Sequence, residues 1–443
     1  MQDCAGREER GEDGCEGIAH SNCDLCIIGA GAAGLASGIF AAQCAARSGR
    51  LDIQILEGAH TIGAKILVSG GGRCNVTHGV ITPDDFHGTR HLIRNILAAF
   101  PVKSTIEWFA SMGVELKREA TGKLFPTTDK ARTVLNALLR RCQDLGVFIR
   151  TSHRVTDIVR IGGPEKGTGE EWRFCIHHTQ GEVRAKRVIL ATGGRSLART
   201  GSDGYGYELA VRLGHHVGVT APALVPLILE APLFCRDLTG VSQEVALTST
   251  VNGRVVDRRQ GDLLWTHFGV SGPVVMDASR FWTIARAKGE VVELHVNFLP
   301  GNTQEQTREW FIEQARAYPR RSLSGTLIQR VPERFAMLLC RETGVDPHRA
   351  IAQLARENRD RLIGSLSKFR FSVERDRGWN HAEVTAGGVP LEEVDFRTME
   401  SKKVPGLYLV GEILDCDGRI GGFNFQWAWA TGYVAGRRAA ASR

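Results

Sequence analysis

Short apolar runs that end at glycines recur along the chain. The first run, residues 25–28, leads into Gly29 and then into a stretch of mostly helix-forming residues at 36–46. Two similar runs, residues 188–190 and 407–410, also lead into glycine turns. Continuous apolar runs of this length are typical of strands buried on both faces of a parallel sheet. The pattern therefore predicts an α/β fold in which these runs share one parallel sheet.

The alternation of strands and helices stops between residues 200 and 371. Segments 245–256 and 291–298 alternate as antiparallel strands do, whereas residues 307–368 have the period of successive helices. We therefore predict a domain interrupted by an insertion. Its parts are a flexible extension at 1–23, the first part of the α/β domain at 24–199, an inserted domain at 200–371 (β-rich at 220–298, helical at 303–370) and the second part at 372–443.

Glycine spacing after the first run predicts a binding site for a nucleotide diphosphate. Gly29, Gly31 and Gly34 form a G-x-G-x-x-G motif that permits a tight turn, close approach of a pyrophosphate and close packing of helix on strand. A second strand at 52–57 ends in Glu57, where this fingerprint places the acid that binds ribose hydroxyls. We include Ala30 and Ala33 among the predicted contacts, because they belong to the same turn. The alternative is a glycine turn in an unrelated α/β protein.

A second glycine-rich segment, residues 63–78, predicts further ligand contacts. Three consecutive glycines bring backbone N–H groups against a flat or anionic ligand, and Lys65 and Arg73 can neutralise phosphate charge. A structural loop is the alternative. The predicted cofactor contacts of this segment are Lys65, Gly72, Arg73, Cys74 and Asn75.

Two later glycine turns supply the rest of the predicted site. The segment after residue 411 contains carboxylates and leads into a helix predicted at 425–438, whose positive end suits a polyol chain and the electron-rich edge of a flavin. Two separated half-sites imply one long cofactor. For Glu412 and Asp417, helix capping is the alternative. The predicted contacts here are Thr192, Gly193, Gly411, Glu412, Asp417, Gly422, Phe423 and Asn424.

Composition narrows the class of protein. No apolar run approaches the roughly 20 residues of a membrane span, so we expect a cytoplasmic protein without membrane contact. Eleven cysteines, an odd number spread over 443 residues, argue against a disulfide framework. The paired histidines at 177–178 and 215–216 lack a third ligand at a metal-site spacing, so no metal is expected. A net charge of +7 is compatible with an RNA substrate but does not require one.

Taken together, the motifs resemble those of one family from residue 24 to the C-terminus. They lie at 29–34, 65–77, 266–273 and 411–424. In these segments the chain is similar to the BaiN-like flavoproteins, also called aminoacetone-oxidase-family FAD-binding enzymes or NAD(P)/FAD-dependent oxidoreductases. The resemblance implies a Rossmann-type FAD-binding domain with an inserted β-rich and helical domain. It also implies activities that include enone reduction in bile-acid intermediates, uracil reduction in ribosomal RNA and amine oxidation. FAD would be held along Gly29, Gly31, Gly34, Glu57, Arg73, Glu412 and Asn424.

We therefore predict an FAD-dependent oxidoreductase that reduces an electron-poor C=C bond, in an enone-like small molecule or in uracil of structured RNA. NAD(P)H is the expected reductant. Because no second G-x-G-x-x-G motif is present, we expect it to dock only transiently at the flavin. A protein acid has to protonate one carbon, and Cys74 and His267 are the candidates. A structural role for His267 is an equal alternative. The alternative functions are an amine oxidase of the aminoacetone type and an FAD-stabilised RNA- or ribosome-binding protein without turnover. The sequence gives no basis for predicting an oligomeric state.

Overall fold

Strands and helices alternate at both ends of the chain in the computed structural model, which describes residues 20–46, 49–162, 172–230 and 232–441. The strands are β1 (His20–Ile28), β2 (Ile53–Leu56), β3 (Thr77–His78), β4 (Phe86–His87), β5 (Leu116–Arg118), β6 (Lys123–Pro126), β7 (Phe148–Arg150), β8 (Val155–Arg160), β9 (Phe174–His178), β10 (Gly181–Leu190), β11 (Ala221–Ala223), β12 (Leu227–Leu229), β13 (Ser242–Val251), β14 (Arg254–Thr266), β15 (Gly269–Ser271), β16 (Val292–Asn297), β17 (Phe369–Phe371), β18 (Val373–Asp376), β19 (Val384–Ala386), β20 (Val394–Asp395), β21 (Glu400–Ser401), β22 (Leu407–Leu409) and β23 (Asp417–Gly418). The helices are α1 (Ala32–Ala45), α2 (Ala64–Gly72), α3 (Arg90–Ala99), α4 (Val102–Ser111), α5 (Ala131–Asp144), α6 (Tyr205–Arg212), α7 (Pro232–Leu238), α8 (Pro273–Ala287), α9 (Gln304–Ala317), α10 (Leu323–Leu327), α11 (Glu333–Glu342), α12 (Arg356–Ser367) and α13 (Phe423–Ala441).

The predicted apolar runs form the centre of a parallel sheet. Its strand order is β20-β21-β22-β10-β1-β2-β7, and the run from β22 to β7 is parallel throughout. Ile28 at the end of β1 lies beside Leu190 of β10 and Leu56 of β2, so the carboxyl ends of these strands are level. Strands β8 and β9 extend the sheet from β10 in antiparallel pairing, and residues 163–171 between them lie outside the described residues. The predicted α/β, Rossmann-type fold is confirmed.

The first strand begins earlier than predicted. Residues 1–23 were expected to be a flexible extension, but β1 starts at His20 and pairs with β10 from that residue onward. Cys23 is buried. Because β10 is ten residues long, it offers a pairing partner to polar residues that have no strand pattern of their own. The rest of the predicted extension, residues 1–19, lies outside the described residues.

Helix α13 packs closely on α1 and thereby fixes the start of α1 beside the sheet. Gly432 and Gly436 make this approach possible: a Cβ at Gly432 would lie 2.9 Å from the carbonyl oxygen of Ala33, and one at Gly436 would overlap that of Ser37. Helix α13 is also longer than the predicted helix at 425–438.

A second sheet and a second hydrophobic core occupy the region of the predicted insertion. The sheet is antiparallel, with the order β17-β16-β13-β14-β15-β12-β18. Trp265 is fully buried there and contacts Phe298, Phe335 and Phe371. Leu209 of α6 belongs to the first core, however, and β18 continues the second sheet beyond residue 371. The first core therefore continues beyond the predicted start of the insertion at residue 200, and the second sheet continues beyond its predicted end at residue 371.

Two short strands connect the cores. The chain passes towards the second core along β11 and returns along β19, and these strands pair antiparallel, with Pro222 beside Thr385. Thr283 of α8 donates a hydrogen bond to the carbonyl oxygen of Pro222. Among the described residues, no helix has both the length and the apolar character required to cross a membrane.

Candidate active site

A cavity of about 760 Å³ opens at the carboxyl ends of the central parallel strands. Ile28, Leu56, Ala191 and Val410, at or just after the ends of β1, β2, β10 and β22, lie on its wall. Ligands of open α/β sheets bind at this edge, and the volume lies in the usual range of small-molecule sites. Many predicted site residues line the cavity: Gly29, Gly31, Ala33, Glu57, Lys65, Arg73, Asn75, Thr192, Gly193, Gly411, Glu412, Gly422 and Asn424.

Other predicted site residues lie behind this wall or away from it. His267 is exposed in the turn between β14 and β15. Phe423 is buried and stacks on His78, with ring centroids 4.8 Å apart. The predicted site residues that do not line the cavity are Ala30, Gly34, Gly72, Cys74, His267, Asp417 and Phe423.

The three glycines of the first turn have different surroundings. Gly29 has a φ of 102°, and a Cβ there would lie 2.5 Å from the carbonyl oxygen of Ala191. A Cβ at Gly34 would overlap the carbonyl oxygen of Gly29. Both glycines are thus required by the fold. Gly31 has an ordinary φ of −78°, and no atom lies within 4 Å of the position a Cβ would take, so its missing side chain leaves free space in the cavity.

Glu57 follows β2 and organises the turn. One carboxylate oxygen accepts a hydrogen bond from the backbone N–H of Ala30 and the other from that of Ala59, both at 2.8 Å. Each carboxylate oxygen can accept a further bond. Glu57 therefore fixes the glycine turn and still offers acceptors to a ribose in the cavity.

The second glycine segment folds into an interrupted helix. Gly70 and Gly71 adopt positive φ values of 55° and 68°, and both line the cavity. Cys74 also has a positive φ, 63°, and is fully buried. Burial raises the pKa of its thiol to about 12, although a hydrogen bond with Ser69 lowers it. The thiol was predicted to face the ligand as an acid, but this backbone turn points it into the core.

Arg73 lines the cavity but is already paired. Its guanidinium lies 2.6 Å from a carboxylate oxygen of Glu119 and stacks over Phe125, 3.9 Å from the ring centroid. Asp129 lies 3.5 Å away. Arg73 was predicted to neutralise a phosphate, whereas in the structure these two carboxylates balance its charge.

Lys65 and Glu412 join the two predicted half-sites. The Lys65 ammonium donates hydrogen bonds of 2.8 Å to Glu412 and to Ser196. Glu412 also accepts bonds from the Ser196 hydroxyl at 2.7 Å and from the backbone N–H of Thr385 at 2.9 Å. Burial acts to raise the pKa of Glu412, but Lys65 and these donors together hold it below its usual value. Glu412 is therefore an ionised carboxylate at neutral pH.

Asp417 has a partner outside the cavity. Its two carboxylate oxygens lie 3.0 and 2.7 Å from the guanidinium of Arg280, on α8 of the second core. Burial raises the pKa of Asp417 to about 6, although Arg280 lowers it. The pair thus links β23 to the second core.

We expect Asp417→Asn to retain bound FAD, because the carboxylate contacts Arg280 and does not line the cavity. The expected cost is in stability, about 1.5–3 kcal/mol for a hydrogen bond to a charged group. Since the folded pKa of about 6 exceeds the ordinary value of 3.8, the contribution of Asp417 falls as the pH rises through 6, and the variant should lack this change. Flavin content and urea unfolding at pH 5 and pH 7 measure both effects. Loss of flavin from a folded variant would contradict the placement.

The cavity fits the cofactor that the motifs predict. Two of its polar side-chain atoms, Oδ1 of Asn75 and Oγ1 of Thr192, are buried without a hydrogen-bond partner. The first turn of α1 has no side-chain cap, so its backbone N–H groups remain available to an anion beside Gly31. Free space at Gly31 and acceptors on Glu57 complete a site for an adenine dinucleotide.

The sequence analysis missed three charged residues on another part of the cavity wall. They are Lys123 at the start of β6, Glu383 directly before β19, and Arg419 after β23. Arg419 pairs with Asp85 at 3.3 Å and Asp277 at 3.5 Å. The sequence did contain one signal for Glu383: it directly precedes β19, a strand that is followed by two glycines.

The sequence showed no third metal ligand at a suitable spacing from the paired histidines, but the structure brings two potential ligands close to His177. Cys175, His177 and Glu182 place one ligand atom each within 4.8 Å of one another, because Glu182 faces His177 across β9 and β10. Glu182 lies 3.6 Å from His177 and 4.0 Å from Arg184, so ion pairing accounts for the group.

The parallel sheet, the glycine turn and the cavity beside it, together with the similarities that follow, define an FAD-dependent oxidoreductase of the Rossmann type. The chain belongs to the HI0933-like family, since the description "HI0933-like protein Rossmann domain" matches residues 23–438. It is 35% identical to a 3-dehydro-bile acid delta(4,6)-reductase of Clostridium scindens over 94% of this chain and 98% of that one. It is 34% identical to a ribosomal RNA dihydrouridine synthase of Escherichia coli, over 93% and 96%.

The fold is also found in a solved structure. That of 3-ketosteroid delta1-dehydrogenase from Sterolibacterium denitrificans, in complex with 1,4-androstadiene-3,17-dione, aligns with a TM-score of 0.50 and 13% identity. The alignment covers 96% of this chain and all of that chain. At this identity the likeness concerns the fold alone. The family resemblance read from the motifs is confirmed.

Proposed function

We propose that this protein reduces an electron-poor C=C bond conjugated to a carbonyl group, with FAD as the bound cofactor and NAD(P)H as its reductant. The observation that carries the proposal is the composition of the cavity wall. A dinucleotide turn at Gly31 shares one cavity with Lys123, Glu383 and Arg419, which take no part in that turn. The two curated relatives are named for a bile acid reductase and a dihydrouridine synthase, and both names describe addition of hydrogen to a conjugated C=C bond.

The side chains of this protein would bind and orient the reactants. Bound FAD, once reduced, supplies a hydride. Glu57 and the start of α1 hold the dinucleotide, with Asn75 and Thr192 supplying hydrogen bonds elsewhere along it. Lys123 lines the cavity, and its ammonium can polarise the carbonyl group that activates the C=C bond. Leu224, directly after β11, and Glu383, directly before β19, line the cavity where the two cores are connected and would lie beside a bound substrate.

Reoxidation of reduced protein tests the reaction. We expect anaerobic, dithionite-reduced protein to return to the oxidised flavin spectrum on addition of a 3-dehydro-Δ4,6 bile acid or of ribosomal RNA that contains unmodified uridine. Aminoacetone, added to oxidised protein in air, serves as the comparison. Hydrogen peroxide formation with aminoacetone, together with no reoxidation by either C=C acceptor, would favour an amine oxidase and contradict the proposal. Flavin reduction by NADH and NADPH, measured side by side, tests the reductant.

Salt dependence separates the two substrate classes. An RNA substrate requires neutralisation of phosphates by Lys and Arg, so its binding should weaken by about 10³-fold or more between 50 and 200 mM salt if six or more phosphates are contacted. A small neutral enone should show little change. The measurement is the apparent affinity of each acceptor in the reoxidation assay across this salt range. An apparent affinity for RNA that does not change with salt would contradict binding through phosphate neutralisation and would favour a small substrate.

A further inference from the structure

We propose that Glu383 is the proton donor that completes reduction of the C=C bond, an assignment that rests on the function proposed above. The group that donates this proton has to reach the substrate from the cavity wall. Cys74 is buried behind the wall, and His267 lies outside it. Glu383 lines the cavity and stands where the chain returns from the second core to the first.

The carboxyl group of Glu383 differs from the other two cavity carboxylates in its partners. Glu57 accepts two backbone hydrogen bonds, and Glu412 accepts bonds from Lys65, Ser196 and Thr385. Among the described residues, the hydrogen bonds of Glu383 involve only its backbone: its N–H donates to Leu224, and its carbonyl oxygen accepts from Ser196. Its side chain is accessible from the cavity. Both oxygens of the carboxyl group are thus available to a substrate.

The surroundings of Glu383 favour its protonated form. Burial among the cavity walls raises the pKa of its carboxyl, and the carboxylate of Asp277 on α8 acts in the same direction. Lys123 on β6 and Lys65 on α2 act against it, but the pKa stays above its ordinary value. His381 on the same segment and Arg419 after β23 also line the cavity. At any given pH the acid form of Glu383 is therefore more populated than that of an ordinary glutamate, which favours a role as general acid.

The step balances in electrons and protons. The β-carbon of the conjugated C=C bond gains a hydride from the reduced cofactor, and the former π electrons form a C–H bond at the α-carbon with the proton of Glu383. The O–H bond of the acid breaks and leaves a carboxylate. Water then reprotonates Glu383. In total, the substrate has received two electrons and one proton, as a hydride, from the reduced cofactor. Its second proton has come from solvent through Glu383.

Glu383→Gln tests the assignment, because glutamine keeps the shape and removes the proton. We expect the variant to retain FAD and to be reduced by dithionite like wild type. Its reoxidation by the acceptor that wild type uses should slow ~10²- to 10⁴-fold, the range of general acid catalysis. Glu383→Asp should recover part of the rate. Glu374→Gln is the matched control, since Glu374 is exposed on β18 and does not line the cavity.

The pH dependence gives a second kinetic readout. Since the acid form is active, the wild-type rate should fall as the pH rises through the pKa of Glu383. This fall should be absent from the residual rate of Glu383→Gln. An identical fall in both proteins would assign the titration to another group and overturn the proposal.

Infrared spectroscopy provides a readout that does not depend on turnover. In the FAD-bound protein, the carboxylic C=O band that is lost in Glu383→Gln should titrate at a pH above the ordinary value for glutamate. A midpoint at or below that value would overturn the assignment. If wild type reduces neither acceptor, the proposed function fails and this assignment fails with it. If wild type reduces an acceptor and Glu383→Gln does so at the same rate, the assignment alone fails.

Discussion

Gly31→Val is expected to yield a folded protein that no longer retains FAD. The backbone at Gly31 has an ordinary φ, and a Cβ there meets no protein atom within 4 Å, so valine introduces no strain into the protein itself. The same Cβ and its methyl groups would fill the cavity where the turn approaches a pyrophosphate. Overpacking typically costs about 1–3 kcal/mol, which is about 5- to 150-fold in Kd. Flavin fluorescence during titration of apoprotein measures this loss.

Two further glycine-to-valine variants serve as comparisons for the FAD affinity of Gly31→Val. Gly162→Val is the matched control, because Gly162 also has open space around its Cβ position but lies away from the cavity. It should bind FAD as wild type does. Gly34→Val should instead fail to fold, since its Cβ would overlap the carbonyl oxygen of Gly29. Full FAD occupancy in Gly31→Val would show that the cofactor does not approach this turn.

Lys65→Met is expected to destabilise the protein and to change its response to acid. Glu412 would lose the ammonium that lies 2.8 Å away, and only the hydrogen bonds from Ser196 and Thr385 would then oppose the rise of its pKa by burial. Removing one partner of a fully buried pair costs about 3–5 kcal/mol. The two side chains here are 27% and 17% exposed, so we expect about 2 kcal/mol. Urea unfolding at pH 7 measures the loss, and Lys103→Met, at an exposed pair with Glu107, is the control.

The sign of the pH effect follows from the direction of the shift. In wild type the pKa of Glu412 is lowered, so its contribution to stability is present above its unfolded value of 4.5 and is lost as the pH falls through the folded value. In Lys65→Met the raised pKa makes the ionised form costly, and protonation relieves that cost. The difference in free energy of unfolding between the two proteins should therefore shrink from pH 7 to pH 4. A difference that grows on acidification would contradict the assigned pairing.

The sequence predicted those parts of the fold that depend on local patterns. The apolar runs at β1, β10 and β22 specify buried parallel strands, and the spacing of Gly29, Gly31 and Gly34 specifies the turn. Residues 20–23 were missed because they become a strand only through pairing with β10. The limits of the insertion were displaced because the helical pattern of α6 does not reveal which core it packs against.

The candidate site was predictable where contacts come from backbone, and less so where they depend on side-chain direction. Cys74 stands between Arg73 and Asn75, both of which line the cavity, yet its positive φ turns the thiol inward. Glu383 was missed for the opposite reason. It is far from every glycine turn of the first half of the sequence and reaches the cavity only because β19 pairs with β11.

The pairing of β11 with β19 also bears on how such proteins diversify. Because β11 and β19 pair with each other in a separate two-stranded sheet, the segment between them can be lengthened, shortened or exchanged without changing the order of β22, β10, β1 and β2. Genetic replacement of this module would therefore leave the dinucleotide site intact while altering which molecules meet it.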